Sequence, residues 1–270
     1  MLIDNIRESV RRVLPTRVFD TVFSFYSTVK TAGSIGINDT LRLRRAARTK
    51  ATPDKLEEFH FPGIAYSVYV RPGGTDADIA EASLIRQYHG CLGPTFHVSL
   101  VIDAGAYAGY TSVFFANKYP RAQIIALEPD RENYALAQRN LAPYADRVTL
   151  LNAAVWYKSG QIRVYPAQRA DSTRVYENGD NGDDGYICAS VDLLSLLQKS
   201  GRQRISIFKC DIEGAEESIF RHDTDKWLEK TDSIMIEIHG PKAHEAVYSA
   251  MRRHPFTVFR NRELDVFHRE

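Results

Sequence analysis

The sequence predicts an α/β protein in which helices cover both faces of a mostly parallel β-sheet. Short apolar stretches alternate with helical segments from residue 99 onward, and acidic residues close the first two stretches, at Asp103 and Glu128. This alternation is typical of parallel sheets. The predicted strands cover residues 99–103, 123–128, 148–152, 205–211 and 233–239. The predicted helices cover residues 110–118, 131–141, 191–199, 214–221 and 242–252.

Two parts of the sequence depart from this alternation. Residues 154–157 and 161–165 flank a Lys-Ser-Gly turn and predict an inserted hairpin, followed by a polar loop over 177–185. Residues 256–260 and 264–268 predict a terminal antiparallel hairpin. We therefore expect a seven-stranded sheet with the spatial order 3-2-1-4-5-7-6, counted along the chain.

The residues before this region predict an N-terminal α+β extension over 1–94, ahead of a main domain over 95–270. Apolar residues recur at helical spacing within 2–30, and 31–55 are expected to form a connecting segment. A strand at 64–71 and a helix at 76–88 complete the extension. Arg71, between them, is expected either to form a structural salt bridge or to orient the extension over the pocket.

Composition and charge narrow the class of protein. The 270 residues are 44% hydrophobic and 26% charged, as in ordinary globular proteins, and the net charge of +1 disfavours a nucleic-acid partner. The cysteines, Cys91, Cys188 and Cys210, are far apart, which predicts neither a disulfide framework nor a cysteine metal site. Charged residues interrupt the N-terminus, so we expect a cytoplasmic protein without a signal peptide.

The basic N-terminal helices leave two interpretations open. Residues 1–50 carry ten Lys and Arg but four Asp and Glu. The helices either pack on the main domain or on a second subunit, as in a homodimer, or they contact a membrane surface.

The strand–turn–helix–strand unit over 99–130 predicts a nucleotide pocket. Gly105 and Gly109 let the backbone approach a ligand closely, and Glu128 can accept hydrogen bonds from ribose hydroxyls. The turn lacks both the P-loop pattern and the glycine spacing of dinucleotide-binding proteins. Asp103 would repel a pyrophosphate but suits the ammonium of a methionyl group, so S-adenosylmethionine is favoured over a nicotinamide cofactor.

Five segments resemble the FkbM family of S-adenosylmethionine-dependent methyltransferases. They are V-I-D-A-G-A-Y-A-G-Y-T-S (101–112), A-L-E-P-D-R-E-N-Y (126–134), L-N-A-A-V-W (151–156), F-K-C-D-I-E-G-A-E (208–216) and I-M-I-E-I-H (234–239). The resemblance covers roughly residues 61–240, and the K-x-D-x-E-G-A-E run is its most specific part. Tyr107 departs from the family pattern, which commonly has a compact amide there, and Cys210 replaces a β-branched residue.

This resemblance implies a Rossmann-like class I methyltransferase fold and an S-adenosylmethionine-dependent O-methyltransferase. The acceptor would be a hydroxyl of a sugar, a glycan or a natural product, and thus a small molecule or carbohydrate. The alternatives are a non-catalytic cofactor-binding scaffold and a nicotinamide-dependent oxidoreductase.

The expected cofactor contacts follow the order of the chain. Asp103 would meet the methionine end, Glu128 the ribose, and Ala154 the adenine. Asn133 would either cap its helix or touch the adenosine. The remaining expected contacts lie in the glycine turn and the helix after it, at Gly105, Tyr107, Gly109 and Thr111.

The expected catalytic residues lie where the fourth and fifth strands of the main sheet end. Asp211 would orient or deprotonate the acceptor hydroxyl, and Lys209, on the same face of the strand, would pair with it. Glu237 and His239 face the same side, with His239 as a candidate general base. Alternatively, Asp211, Glu237 and His239 would hold a divalent metal. Glu213 and Glu216 would stabilise a helix N-terminus.

Overall fold

The computed structural model describes residues 28–49, 55–92, 97–165, 174–176 and 185–270. Most of the helical region expected over 2–30 and most of the loop expected over 177–185 lie outside these residues. The chain divides into two compact units, Met1–Tyr88 and His89–Glu270. Among the described helices, none combines the length and apolar character that crossing a bilayer requires.

The first unit contains short helices and a small sheet. Its elements are a helical stretch at 28–35, α1 (Ile37–Arg48), β1 (Glu57–Phe59), β2 (Val68–Val70) and α2 (Asp76–Ala80), which continues as a π-helical turn over Glu81–Ile85. β1 pairs antiparallel with β2. Arg71 forms a two-pronged salt bridge with the buried Asp76, at 3.0 and 2.8 Å, as the structural interpretation expected.

The expectation of a connecting segment at 31–55 is wrong, because α1 and the helical stretch that precedes it occupy most of these residues. Leu43 and Ala46 are buried on one face of this helix, whereas its arginines lie on the other faces. The few apolar residues give only a narrow stripe among many arginines, so the sequence pattern resembled a polar linker.

The strands of the second unit form two sheets. They are β3 (Leu100–Ala104), β4 (Gln123–Leu127), β5 (Val148–Leu151), β6 (Ala153–Val155), β7 (Gly160–Tyr165), β8 (Arg174–Tyr176), β9 (Tyr186–Val191), β10 (Ile205–Cys210), β11 (Thr231–Ile236), β12 (Phe256–Asn261) and β13 (Leu264–Arg269). The larger sheet has seven strands in the order β12-β13-β11-β10-β3-β4-β5. β13 runs opposite to the other six strands and pairs antiparallel with both β11 and β12. Counted along the chain, this order confirms the predicted 3-2-1-4-5-7-6 arrangement.

Helices pack around this sheet. They are α3 (Tyr110–Lys118), α4 (Arg131–Leu141), α5 (Leu193–Ser200), α6 (Glu216–Arg221), α7 (Thr224–Leu228) and α8 (Pro241–Met251). The central strands β3 and β10 are buried along their whole length, since helices cover both faces. The sequence analysis did not predict α7, whose Trp227 packs edge-on against Phe208 of β10.

The smaller sheet corrects the predicted inserted hairpin. Its order is β6-β9-β7-β8, so the two expected arms, β6 and β7, do not pair with each other. β9 lies between them, parallel to β6 and antiparallel to β7. Ile162, Val164 and Cys188 alternate with exposed or half-buried residues and form a shared buried face, which holds β9 in this register.

Candidate active site

The glycine turn after β3 packs directly against the end of β10. Gly105 has φ +74°, and a Cβ built there would lie 1.8 Å from the carbonyl oxygen of Asp211. The backbone N–H of Asp211 donates to the carbonyl of Ala104 at 3.2 Å. Gly109, with φ +83°, begins α3 and packs against Leu141. The turn therefore joins two strand ends that are far apart in sequence.

Glu128 follows β4 and is almost completely buried. Its Oε2 accepts a hydrogen bond from the backbone N–H of Tyr107 at 2.7 Å, and its Oε1 accepts one from that of Asp130 at 2.9 Å. Burial raises the pKa of this carboxyl to about 7, although both N–H donors favour the charged form. Each oxygen keeps a further lone pair, so the group can accept ligand hydroxyls.

The other expected cofactor residues surround Glu128 and the turn. Tyr107 has the left-handed φ of 53°, which is uncommon for a residue with a side chain. Asp130 caps α4 by accepting from the N–H groups of Glu132 and Asn133. Asn133, Thr111 and Ala154 are buried, in the first turns of α4 and α3 and on β6.

Two residues that the sequence analysis did not single out hold the loop after β4. The Asn152 side-chain amide donates to the carbonyls of Glu128 and Pro129, at 2.9 and 3.1 Å. The Tyr186 hydroxyl donates to Pro129 at 2.9 Å, and the Arg131 guanidinium lies 4.9 Å from the Tyr186 ring centroid. The position of Asn152, directly after a strand, is a signal that could have found it. Tyr186 offers no such local signal.

Asp103 and Lys209 differ from expectation in their partners. Asp103 is fully buried, and its Oδ2 accepts from the Ser112 hydroxyl at 2.6 Å. Lys209 was expected to pair with Asp211. Its Nζ lies 3.3 Å from Asp103 Oδ1 but 4.0 Å from Asp211 Oδ2. Because Asp103 and Lys209 are opposite each other in neighbouring strands, their side chains reach each other on one face of the sheet.

His239 stands at the centre of an acidic cluster. Its Nε2 lies 3.9 Å from Asp211 Oδ1 and 3.7 Å from carboxylate oxygens of both Glu213 and Glu237. Its Nδ1 pairs with Oε1 of the fully buried Glu216 at 2.9 Å. The sequence analysis assigned Glu216 to a helix N-terminus and missed this pairing.

The charges of the cluster change the role expected for His239. The hydrogen bond to Glu216, together with the surrounding carboxylates, raises the pKa of His239 to about 9. A pKa this high favours the imidazolium at neutral pH, and an imidazolium cannot accept a proton, so these contacts disfavour the general-base role expected for His239. Burial and the nearby Asp211 raise the pKa of Glu237 to about 7. A base with a pKa near the working pH is efficient, and Glu237 has that property.

The three residues expected to share a metal are close together. One ligand atom each from Asp211, Glu237 and His239 lies within 4.8 Å of the others, and all three residues are half-buried. Oxygen and nitrogen donors of this kind suit hard or borderline divalent cations.

The loop between β10 and α6 places Glu213 in the left-handed region, with φ 54°. Gly214, which follows at φ 102°, adopts such angles without strain because it has no Cβ. A left-handed residue with a side chain costs about 1–2 kcal/mol, and asparagine tolerates this conformation better. We expect Glu213→Asn to raise the melting temperature by about 2 °C, since it relieves part of this strain.

The control for this prediction is Glu213→Gln, measured in the same thermal denaturation. It removes the same charge without favouring the left-handed conformation. An equal rise in both variants would mean that charge repulsion in the acidic cluster, and not backbone strain, is relieved.

Comparisons with known proteins point to one family. The model of the methyltransferase FkbM domain matches residues 103–258, more than half of the chain. Methyltransferase sdnD of Sordaria araneosa is 26% identical over 172 aligned residues, and the match covers 52% of this chain and 66% of the relative. Methyltransferase 1 of Beauveria bassiana is 24% identical over 164 aligned residues, and the match covers 53% of this chain and 66% of the relative.

Two further matches are more distant or more partial. The AMB antimetabolite synthetase AmbE of Pseudomonas aeruginosa is 24% identical over 202 aligned residues. The match covers 59% of this chain but 10% of the relative. A solved FkbM methyltransferase structure from Methylobacillus flagellatus KT has a TM-score of 0.48 at 15% identity, covering 69% of this chain and 47% of that one. The chain thus spans only part of each of these proteins. Its sheet order is that of class I methyltransferases, and by the match over residues 103–258 the chain belongs to the FkbM methyltransferase family.

Proposed function

We propose that this protein transfers a methyl group from S-adenosylmethionine to a hydroxyl of a small acceptor, namely a sugar, a glycan or a natural product. One observation carries the proposal: the glycine turn after β3 packs against Asp211, beside the acidic cluster at the ends of β10 and β11. Ligands of open α/β sheets bind outside the carboxyl ends of the strands. The glycine turn and the proton-accepting carboxylates therefore lie at the same edge of the larger sheet.

The residues near the turn fit the cofactor. The lone pairs left on Glu128 suit the two ribose hydroxyls, and Asn133, Thr111 and Ala154, all buried, would contact the cofactor. When bound, S-adenosylmethionine supplies a methyl group attached to a sulfonium sulfur. The neutral thioether S-adenosylhomocysteine is a good leaving group. The protein then has to align the acceptor and remove its proton.

Two carboxylates divide the work on the acceptor. A hydroxyl is a weak nucleophile until its proton is removed. Asp211, next to the turn, orients the acceptor, and Glu237 accepts the hydrogen bond of the reacting hydroxyl and then receives its proton. The His239 imidazolium offsets part of the negative charge of the cluster, so these carboxylates can lie close together.

Calorimetric titration of S-adenosylmethionine and S-adenosylhomocysteine tests the cofactor assignment. We expect binding to the wild type and at least about a tenfold loss in Glu128→Ala, because two ribose hydroxyls lose their acceptor. Glu132→Ala, which removes an exposed carboxylate in the first turn of α4, is the matched control and should bind like the wild type. Binding of a nicotinamide cofactor instead would contradict the proposal.

A methyl-transfer assay over a panel of sugars and natural products tests the reaction. Cofactor binding with no transfer to any hydroxyl would favour a non-catalytic scaffold. Activity that is lost in EDTA and restored by Mg²⁺ would assign Asp211, Glu237 and His239 to a cation rather than to proton transfer.

The affinity for the cofactor should rise with pH. The pKa of Glu128 is raised from about 4.5 to about 7, and ribose hydroxyls donate to its carboxylate, so binding favours the deprotonated form. Between pH 6 and pH 8 we expect about a tenfold gain in affinity, which Glu128→Gln should remove. Over the same range the free protein loses stability as pH rises, since folding favours the protonated acid. A pH-independent wild-type affinity would contradict this assignment.

A further inference from the structure

Lys209 is a buried lysine whose ammonium contacts the backbone of the glycine turn. It lies on β10, and about 3% of its surface is exposed. Its Nζ donates to the carbonyl oxygens of Gly105 at 2.6 Å and Ala104 at 3.3 Å, and it lies 3.3 Å from Asp103 Oδ1. The ammonium thus contacts two backbone carbonyls of the turn and one buried carboxylate.

This side chain is charged in the folded protein. Burial alone would favour the neutral amine, but the carboxylates of Asp103 and Asp211 outweigh it, and the pKa of Lys209 lies above its usual value. Asp103 is in turn held by the Ser112 hydroxyl from α3 at 2.6 Å. A buried charge with these partners stabilises one arrangement of the surrounding backbone.

Backbone hydrogen bonds connect the glycine turn to Glu128. With the carbonyls of Ala104 and Gly105 directed at the ammonium, the N–H groups of Gly105 and Ala106 donate to the carbonyl of Leu127. The next N–H, that of Tyr107, donates to Glu128. A continuous series of contacts therefore runs from Lys209 to the carboxylate that we assign to the ribose.

We propose that Ser112, Asp103 and Lys209 form a positioning set that holds the turn in its cofactor-binding conformation, and that Asp103 acts through Lys209 rather than by touching the cofactor. The proposal rests on the proposed function, which supplies the cofactor. It replaces both the methionine contact expected of Asp103 and the acceptor-side role expected of Lys209. Neither residue is then a catalytic residue.

Two variants distinguish a positioning role of Lys209 in the turn from a role in which Lys209 only neutralises the buried charge of Asp103. Lys209→Met alone leaves the Asp103 carboxylate buried without a cation to pair with, and we expect the melting temperature of this variant to fall by about 10 °C. Adding Asp103→Asn removes that charge and should restore most of the loss. If the ammonium holds the turn, the double variant should still bind S-adenosylhomocysteine about tenfold more weakly or worse, despite its recovered stability.

Hydrogen exchange in the absence of cofactor gives a second readout. Peptides spanning residues 104–110 should exchange at least about tenfold faster in the double variant, with unchanged exchange in α8. Lys118→Met is the matched control, because Lys118 also donates to a backbone carbonyl, that of Gly90, but away from the turn. It should leave the exchange of the turn and the affinity unchanged.

Each outcome has a distinct meaning. Recovery of affinity and of slow exchange together with stability would overturn the proposal, since charge compensation alone would then explain Lys209. If the double variant stays unstable, the exchange data alone decide. Slow exchange at residues 104–110 in Lys209→Met or in the double variant would then overturn the proposal. A wild type that binds no cofactor would contradict the proposed function, while the exchange data would still decide the positioning role.

Discussion

Replacing Gly105 with alanine is expected to destabilise the protein strongly and to abolish cofactor binding. The new Cβ would lie 1.8 Å from the Asp211 carbonyl oxygen, at a residue with φ +74°. The left-handed conformation costs about 1–2 kcal/mol for a residue with a side chain, and the overlap adds about 1–3 kcal/mol. We expect the melting temperature to fall by about 10 °C and calorimetry to detect no binding of S-adenosylhomocysteine.

The chain offers a matched control for this substitution. Gly201, which ends α5, has φ +69° but no atom within 4 Å of a built Cβ. Gly201→Ala therefore has the same backbone strain without the overlap, and should cost only about 1 kcal/mol and leave cofactor affinity intact. Equal losses of stability in the two variants would show that the contact between the turn and Asp211 is unimportant.

Replacing Glu237 with glutamine should have the largest effect on turnover. Glutamine keeps the shape of the side chain but cannot receive the acceptor proton, so kcat should fall by about 10²–10⁴-fold. The affinity for S-adenosylmethionine should stay within about threefold, since Glu237 lies on the acceptor side. In the wild type, kcat at saturating cofactor should rise with pH through about 7, the pKa of Glu237, and this rise should disappear in the variant.

The control for this variant is Glu245→Gln, an exposed carboxylate on α8. It should reproduce the wild-type rate and pH profile. A Glu237→Gln enzyme with wild-type kcat would exclude Glu237 as the base and transfer that role to Asp211. Comparison of Asp211→Asn in the same assay would then show whether proton removal or orientation is lost.

Local pattern was enough to predict the main sheet. Leu100–Ala104 and Ile205–Cys210 are mostly apolar, interrupted only by Asp103, Ser206 and Lys209, and such runs are typical of strands buried on both faces. Pattern was insufficient for the smaller sheet, where Tyr186–Val191 inserts between two strands that precede it in the chain. Strand pairing across many residues depends on which apolar faces meet, and a single stretch of sequence does not contain that information.

The sequence by itself determined the edge of the sheet at which the candidate site lies, because Asp103, Glu128, Asp211 and Glu237 lie at or near the carboxyl ends of parallel strands, which meet at one edge. Only the tertiary structure decided how these groups are paired. Lys209 contacts Asp103, about a hundred residues away, more closely than Asp211, and His239 pairs with the buried Glu216. Alternation along a strand determines the face on which a side chain lies, whereas register, distance and burial determine its partner and its charge.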